Sequence, residues 1–182
     1  MIRTASLVLA TISTGLTAGV FLLYAHTIMP GLRATDDRTF VAAFQSIDRS
    51  IINPWFLAGG FFGAVALTAL AAALHHRSSA APWILAALVL HSLVVVITMA
   101  VHLPLNDALK AAGSPDAIDV TAARQAFHET RWVAWNVVRV VLDLSAFAVL
   151  TVSLVLHGRD TPDPGPRALE PVAVQSARAT VR

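Results

Sequence analysis

The amino-acid sequence predicts an all-α fold: a bundle of four transmembrane helices with amphipathic interfacial helices in the 1–2 and 3–4 loops. Three observations lead to this prediction. First, 56% of the 182 residues are hydrophobic and only 13% are charged, whereas a soluble domain averages about 25% charged residues. Second, four apolar stretches are each long enough to cross a bilayer at about 1.5 Å per residue. Third, the segments between them show helical periodicity.

The four predicted spans cover residues 5–29, 55–75, 81–101 and 132–156. Arg3 before the first apolar run is also typical of a signal peptide. That run continues for about 25 residues without a small-residue cleavage site, which favours a retained span. Residues 1–157 are therefore predicted to form a four-helix membrane domain. Residues 158–182 are rich in proline and charge, which predicts a disordered tail.

The connecting segments carry their own signals. Pro30 and Pro104 follow the first and third apolar runs and are expected to end those helices. In the 1–2 loop, apolar residues recur at helical spacing behind two aspartates placed to cap, which predicts an amphipathic helix at the interface. The residues concerned are Asp36, Asp37, Phe40, Phe44, Ile47 and Ile51. In the 3–4 loop, the triplet Ser114-Pro115-Asp116 predicts a helix start.

The composition also limits the partners. The chain has no cysteine, which excludes disulfides, thiolate chemistry and iron–sulfur clusters bound by cysteine. A net charge of +2 is too small to indicate nucleic-acid binding. The expected partners are the lipid bilayer and a small lipophilic substrate, and the oligomeric state stays open, a homo-oligomer included. Arg3, Arg77 and Arg159 lie near span ends on the side of the termini, so the positive-inside rule predicts cytoplasmic termini.

The fourth span carries a polar stripe on an otherwise apolar helix. At about 100° per residue, its members fall within one arc: His128, Trp132, Trp135, Asn136, Arg139 and Asp143. Arg139 and Asp143 are four residues apart and are expected to pair, which would lower the cost of burying both charges. Ionisable residues inside a span indicate a functional site, although interhelical polar contacts also serve structure alone.

Histidines on other spans extend this pattern. His102 shares a face with His91 and Thr98 on the third span, and His26 follows a Gly15/Gly19 face on the first. His26, His102 and His128 are therefore expected to converge at one membrane face. His91 is expected to be a hydrogen-bonded core residue, with His75, His76 and His157 on the opposite side. No zinc-type spacing is present, so the sequence predicts no metal site from motifs.

Four segments in this order resemble the anthrone oxygenase family, which belongs to a broad group of small four-helix membrane proteins. The segments are YAHTIMPGL, FVAAFQSIDRSIINPWF, LPLNDAL and RWVAWNVVR, and the resemblance covers about residues 10–150. The matching positions are Met29, Pro30, Gln45, Asn53, Pro54, Pro104, Leu105, Asn106, Trp132, Asn136 and Arg139. His26 and His102 stand where many members are expected to have other residues.

Three functions stay open at this stage. The resemblance implies a cofactor-independent oxygenase acting on a lipophilic aromatic. His128 or His102 would be the base and Arg139 with Asn136 the oxyanion donors, with Asp143 as counter-charge. Its substrate contacts would be Trp132, Trp135, Asn53 and Asn106. The second is a redox protein holding haem b or copper through two of His26, His102 and His128. The third is a non-catalytic membrane scaffold.

Overall fold

The structure, a computed structural model, describes residues 1–160, which form helices without any strand in that part of the chain. The helices are α1 (Ile2–Leu23), α2 (Met29–Arg33), α3 (Asp37–Ile51), α4 (Phe62–His75), α5 (Ala81–Ile97), α6 (Leu103–Ala111), α7 (Val120–Ala126) and α8 (Glu129–Asp160). Three π-helical segments continue or precede them: π1 (Tyr24–Ile28), π2 (Trp55–Phe61) and π3 (Thr98–His102).

Four continuous helical stretches are long and apolar enough to cross a membrane, which makes the chain an integral membrane protein and confirms the predicted fold class. They are span 1 (Ile2–Arg33), span 2 (Trp55–His75), span 3 (Ala81–Ala111) and span 4 (Glu129–Asp160). Spans 1 and 3 run well past their predicted ends, and residues 158–160 of the predicted tail are helical. The rest of that tail lies outside the described residues.

The spans pack as a ring in which span 1 contacts spans 2 and 4, and span 3 contacts the same two. The end of the ring that carries the termini is filled by a tight apolar layer rich in alanine, which lets the backbones approach closely. Its buried members are Leu7, Ala10, Ala71, Ala80, Ile84, Ala87, Ala146 and Leu150. The opposite end, which carries the long loops, holds the candidate site.

Two prolines shape the loop-side end without stopping the helices as predicted. Pro30 and Pro104 each lie two residues after a π-helical segment, and the chain continues as α2 and α6. A proline within a helix lacks the N–H and crowds the carbonyl four residues earlier. That carbonyl belongs to His26 in π1 and to Ala100 in π3, so a widened turn at these positions relieves the clash.

The remaining π-helical segment, π2, depends on a glycine. A Cβ at Gly63 would overlap the carbonyl oxygen of Ala58, five residues earlier, and would lie 2.9 Å from the carbonyl carbon. At Gly59, within the same segment, a Cβ would meet nothing within 4 Å. Gly63 is therefore the position at which π2 requires the absence of a side chain.

Helix α3 forms a cap over the loop-side end of the bundle. Asp36 caps it as predicted, its carboxylate accepting from the amide of Thr39 at 3.0 Å. The helix is amphipathic as expected, but its apolar face packs on the protein instead of on the membrane interface. Phe40, Val41 and Phe44 are buried there in one cluster. Met29, at the start of α2, and Phe127, directly after α7, join them. This cluster separates the bundle interior from the aqueous side.

The 3–4 loop holds a shorter helix than predicted. The triplet from Ser114 to Asp116 forms a turn, and α7 begins only at Val120. The helix starts there because the Asp119 side chain accepts from the amide of Ala122 at 3.0 Å, which caps the helix. The Thr121 hydroxyl then donates to Asp37 of α3 and holds the pKa of that carboxyl below its usual value. The two loop helices are thus joined into one cap.

Candidate active site

A cavity of about 190 Å³ lies in the loop-side half of the bundle, beneath the α3 cap. All four spans and α3 contribute to its wall, which is mostly aromatic and aliphatic. The polar or ionisable side chains in the lining are Tyr24, Asp48, Thr98, His102, Asn106, Trp132 and Arg139. An apolar cavity with a few convergent polar groups is the usual form of a small-molecule site.

The three π-helical segments surround this cavity. π1 contributes Tyr24, π2 contributes Phe56 and Phe61 among others, and π3 contributes Thr98 and His102. A π-helical turn carries an extra residue and widens the helix, and such turns are frequent at functional sites. The prolines and Gly63, through the turns they require, therefore open the space that the straight helices would fill.

Arg139 of span 4 is the charged group in the cavity wall that lies deepest in the bundle, and it is only 4% exposed. Its guanidinium donates to the Asn136 carbonyl oxygen at 2.8 Å and to the Thr98 hydroxyl at 3.1 Å. The Asn136 amide donates in turn to the backbone carbonyl of Phe21 at 3.1 Å, which fixes its orientation. The Arg139 Cζ lies 4.2 Å from the ring centroid of Phe21 and 5.6 Å from that of Trp132.

The predicted pair between Arg139 and Asp143 does not form. No ion pair within 4.0 Å joins Arg139 to a carboxylate of residues 1–160. Asp143 lies one turn further along span 4 and contacts His91 instead, with 2.5 Å between Oδ1 and Nδ1. The Nε atom of Arg139 is buried without a hydrogen-bond partner. The guanidinium is therefore a buried cation held by neutral groups and aromatic faces.

The His91–Asp143 pair is neutral as a unit. His91 Nε2 donates to the backbone carbonyl of Phe61 at 3.0 Å, because a carbonyl can only accept. A single proton is then shared between Nδ1 and the Asp143 carboxylate, and on either atom the pair has no net charge. Both side chains are buried, as predicted for His91. Asp143 Oδ1 thus pairs with span 3, while its Oδ2 is buried without a hydrogen-bond partner. Asp143 is not the counter-charge of Arg139.

A second polar chain runs along the cavity wall towards the cap. The Trp132 indole donates to the Asn106 side-chain oxygen at 2.8 Å, and the Asn106 amide donates to Asp48 at 2.7 Å. Lys110 lies 2.7 Å from the other oxygen of Asp48. Asp48 is 6% exposed and lines the cavity from α3. A carboxylate on the cap helix therefore shares the cavity with Arg139.

Of three comparisons with known proteins, the first bears on this arrangement. The family model described as "Anthrone oxygenase" matches residues 54–149, which is more than half of the chain. The chain belongs to the anthrone oxygenase family. Neither a curated protein nor a solved structure matches it. The matched segment of this family member includes Asn106, Trp132, Asn136 and Arg139, whereas Asp48 lies before it.

In this anthrone oxygenase family member the structure brings together only part of the predicted site. Arg139, Trp132, His102 and Asn106 line the cavity, and Asn136 lies directly behind Arg139. Trp135 is outside the lining and partly exposed, and Asn53 caps span 2 by accepting from the Phe56 amide at 3.0 Å.

The predicted convergence of three histidines is wrong. His102 is buried against the Trp132 ring, 5.0 Å between centroids, with Nε2 3.3 Å from the Trp132 carbonyl. His26 is exposed and bonds to the neighbouring Thr27, and His128 is exposed in the link before α8 with φ 52. Residues 1–160 contain no group of three histidine or acidic side chains placed to hold a metal ion. The exposed His26 and His128 do not supply His102 with the second histidine on which the predicted haem or copper site depended.

Sequence analysis missed Tyr24 and Asp48. Asp48 lies four residues after Phe44 and eight after Phe40, so it falls on the apolar face of the amphipathic α3. A carboxylate at such a position is the signal that could have identified it, because a buried acid requires partners that the surrounding fold must supply. Tyr24 lies in a long apolar run, so nothing in the sequence marks it as a site residue. Only its position at the start of π1 brings it into the cavity wall.

Proposed function

We propose that this protein oxygenates a lipophilic, anthrone-like aromatic bound in the cavity. The observation that carries the proposal is Arg139, a buried guanidinium without a carboxylate partner, in the wall of an apolar cavity. A buried cation is costly unless an anion compensates it. The site is therefore suited to a ligand that is apolar over most of its surface and develops negative charge on one oxygen.

The chemistry of an anthrone fits this requirement. Loss of a proton from its activated CH₂ carbon gives an enolate whose negative charge lies on the carbonyl oxygen. One O₂ then oxidises that carbon by four electrons: one oxygen atom becomes the new carbonyl, and the other leaves as water with the two hydrogens of the CH₂ group. Arg139 would stabilise the enolate oxygen, which is most effective in a site that excludes water. The enolate itself supplies the electrons, so the protein's task is deprotonation and binding.

Asp48 is our candidate for the base. When a carboxylate accepts the proton, its negative charge is replaced by that of the enolate, and no additional charge is created in the cavity. The sequence predicted His128 or His102 as the base, but His128 is exposed and lies outside the cavity lining. Protonation of His102 would add a second cation close to Arg139 in a poorly solvated site. We therefore assign His102 a structural role as a neutral residue of the cavity wall that contacts Trp132. Trp132 in turn orients Asn106, which donates to Asp48.

This assignment gives a direct test of the activity. Protein reconstituted in liposomes should convert a hydroxyanthrone to the quinone above the rate of spontaneous oxidation, with one O₂ consumed per quinone. Asp48→Asn should lower kcat at least about 100-fold with KM changed little, because general-base catalysis contributes about 10²–10⁴. Asp107→Asn is the matched control, since Asp107 also contacts Lys110 but lies outside the cavity lining. A wild-type protein without turnover would refute the function, and an active Asp48→Asn with an inactive His102→Gln would reassign the base.

The orientation of the protein is proposed with the function. Arg3, Arg77 and Arg159 lie at the end of the bundle that carries the chain termini. By the positive-inside rule we place that end in the cytoplasm and the α3 cap on the opposite side of the membrane. Cysteines introduced at Ser79 and Ala112, both exposed and on opposite ends of the bundle, test this in a chain that has none. In intact cells an impermeant maleimide should label only the cysteine at position 112. Labelling of position 79 alone would invert the assignment.

A further inference from the structure

The cavity has a mouth on one side of the bundle. Among its lining residues, those that are clearly exposed are Ile52, Phe62, Met99 and Leu103, with 37% to 50% of their surface accessible. All four are apolar, and they come from spans 2 and 3 or the residues leading into span 2. The lining residues from spans 1 and 4, among them Phe21 and Trp132, are buried. The opening therefore lies between spans 2 and 3.

The packing of these two spans explains the opening. α4 and α5 contact each other at the end of the bundle that carries the termini, whereas π2 and π3, at the other end, make no comparable contact. The extra residue of each π-helical turn shifts the side chains that would otherwise close the gap. Phe40, Phe44 and Phe127 of the cap are at most 2% exposed, so this aromatic cluster closes the centre of the loop-side end.

The depth of the mouth indicates what can pass through it. Trp55 is 88% exposed at the start of span 2, where a tryptophan typically marks the membrane interface. Phe62 lies seven residues further along, which is about 10 Å deeper in the bilayer. On span 3, Met99 lies eight residues before the exposed Asp107, about 12 Å deeper. The part of the mouth between Phe62 and Met99 thus opens into the hydrocarbon region, whereas the rim residues Ile52 and Leu103 lie nearer the interface.

We infer that the cavity is loaded laterally, through the gap between Phe62 and Met99, by an aromatic molecule dissolved in the bilayer. The occupant is a flat, apolar ring system with one polar oxygen, because the rim is entirely apolar while Arg139 and Asp48 lie further inside. This inference rests on the proposed function for the identity of the ligand. The access route itself follows from the exposure of the rim and the closed cap.

Rates of binding test the route without any turnover. The probe is a hydroxyanthraquinone, which cannot be oxidised further in this way, added to protein in phosphatidylcholine liposomes while tryptophan fluorescence is followed. Met99→Cys is measured before and after labelling with a bulky maleimide. Val96→Cys is the matched control, because Val96 is exposed on the same span but does not line the cavity. Labelling at position 99 should slow association and dissociation at least about tenfold and leave the equilibrium affinity within about twofold, as expected for a blocked passage.

The same experiment contains the outcomes that would overturn the route. Equal rates after labelling at positions 99 and 96 would do so, and so would an association rate set by the aqueous rather than the bilayer concentration of quinone. Absence of quenching with the wild-type protein would show that the quinone does not bind, and would overturn the proposed occupant. Quinone binding that is slowed at position 99, without any oxidation of an anthrone, would leave the route standing and refute the proposed function alone.

Discussion

Arg139→Lys should reach the membrane at wild-type levels and lose about 100-fold in turnover of a hydroxyanthrone, since one misplaced donor at a developing oxyanion costs about 10²–10³ in kcat. Lysine keeps the charge but not the planar fork of donors. In the structure that fork donates to Asn136 and Thr98 at once, and its Cζ lies over the Phe21 ring. A single ammonium cannot make these contacts and present a further N–H to the cavity.

Arg131→Lys provides the control for this prediction. Arg131 lies two turns earlier on the same helix and is exposed, so its replacement should leave kcat within about twofold of wild type. The measurement is the initial rate of quinone formation in liposomes, with thermal stability in detergent as the check on folding. If Arg139→Lys folds and turns over at the wild-type rate, Arg139 packs the bundle and does not bind an anionic intermediate.

Much of the membrane architecture was predictable because hydropathy and length depend on local composition alone. The polar stripe on span 4 was also predictable, because the helix is regular and each residue turns by the same angle around its axis. Trp132, Asn136 and Arg139 accordingly face the bundle as expected. The Asp36 cap followed from the same kind of local chemistry, a side chain placed to accept from an amide three residues later.

Whether the histidines converge could not be predicted, because their angular positions around the helix axes depend on irregular turns. His26 lies inside π1, where the extra residue rotates the helix, and the imidazole points away from the cavity wall. His128 precedes α8 in a left-handed conformation with φ 52, so the helical wheel of span 4 does not apply to it. Neither π-helical turns nor positive φ at a non-glycine residue has a reliable signal in a single sequence.

The partner of Asp143 was missed for a different reason. A spacing of four residues makes a pair between Arg139 and Asp143 possible, but it does not show which groups compete for each charge. His91 on span 3 reaches Asp143 across the bundle, and this contact depends on the tertiary packing of spans 3 and 4. The consequence is functional, because the neutral His91–Asp143 pair leaves Arg139 available to a ligand.

The His91–Asp143 pair should contribute strongly to stability. His91→Leu should lower the free energy of unfolding by about 3 kcal/mol or more, the usual cost of leaving one member of a buried pair alone. Both side chains are at most 1% exposed, so water cannot take the place of the lost partner. The leucine also leaves the Phe61 carbonyl without the donor that His91 provides. Unfolding in mixed detergent micelles measures this difference.

A double substitution separates the charge effect from simple loss of packing. His91→Leu with Asp143→Leu removes both ionisable groups, and the remaining cost should be the unpaired Phe61 carbonyl, about 1–3 kcal/mol. The double variant should therefore be more stable than His91→Leu alone. His76→Leu, an exposed histidine at the end of span 2, is the control and should change stability by less than about 0.5 kcal/mol. Asp143→Leu alone completes the comparison. If the losses of His91→Leu and Asp143→Leu simply add in the double variant, Asp143 does not depend on His91 and would again be the candidate counter-charge of Arg139.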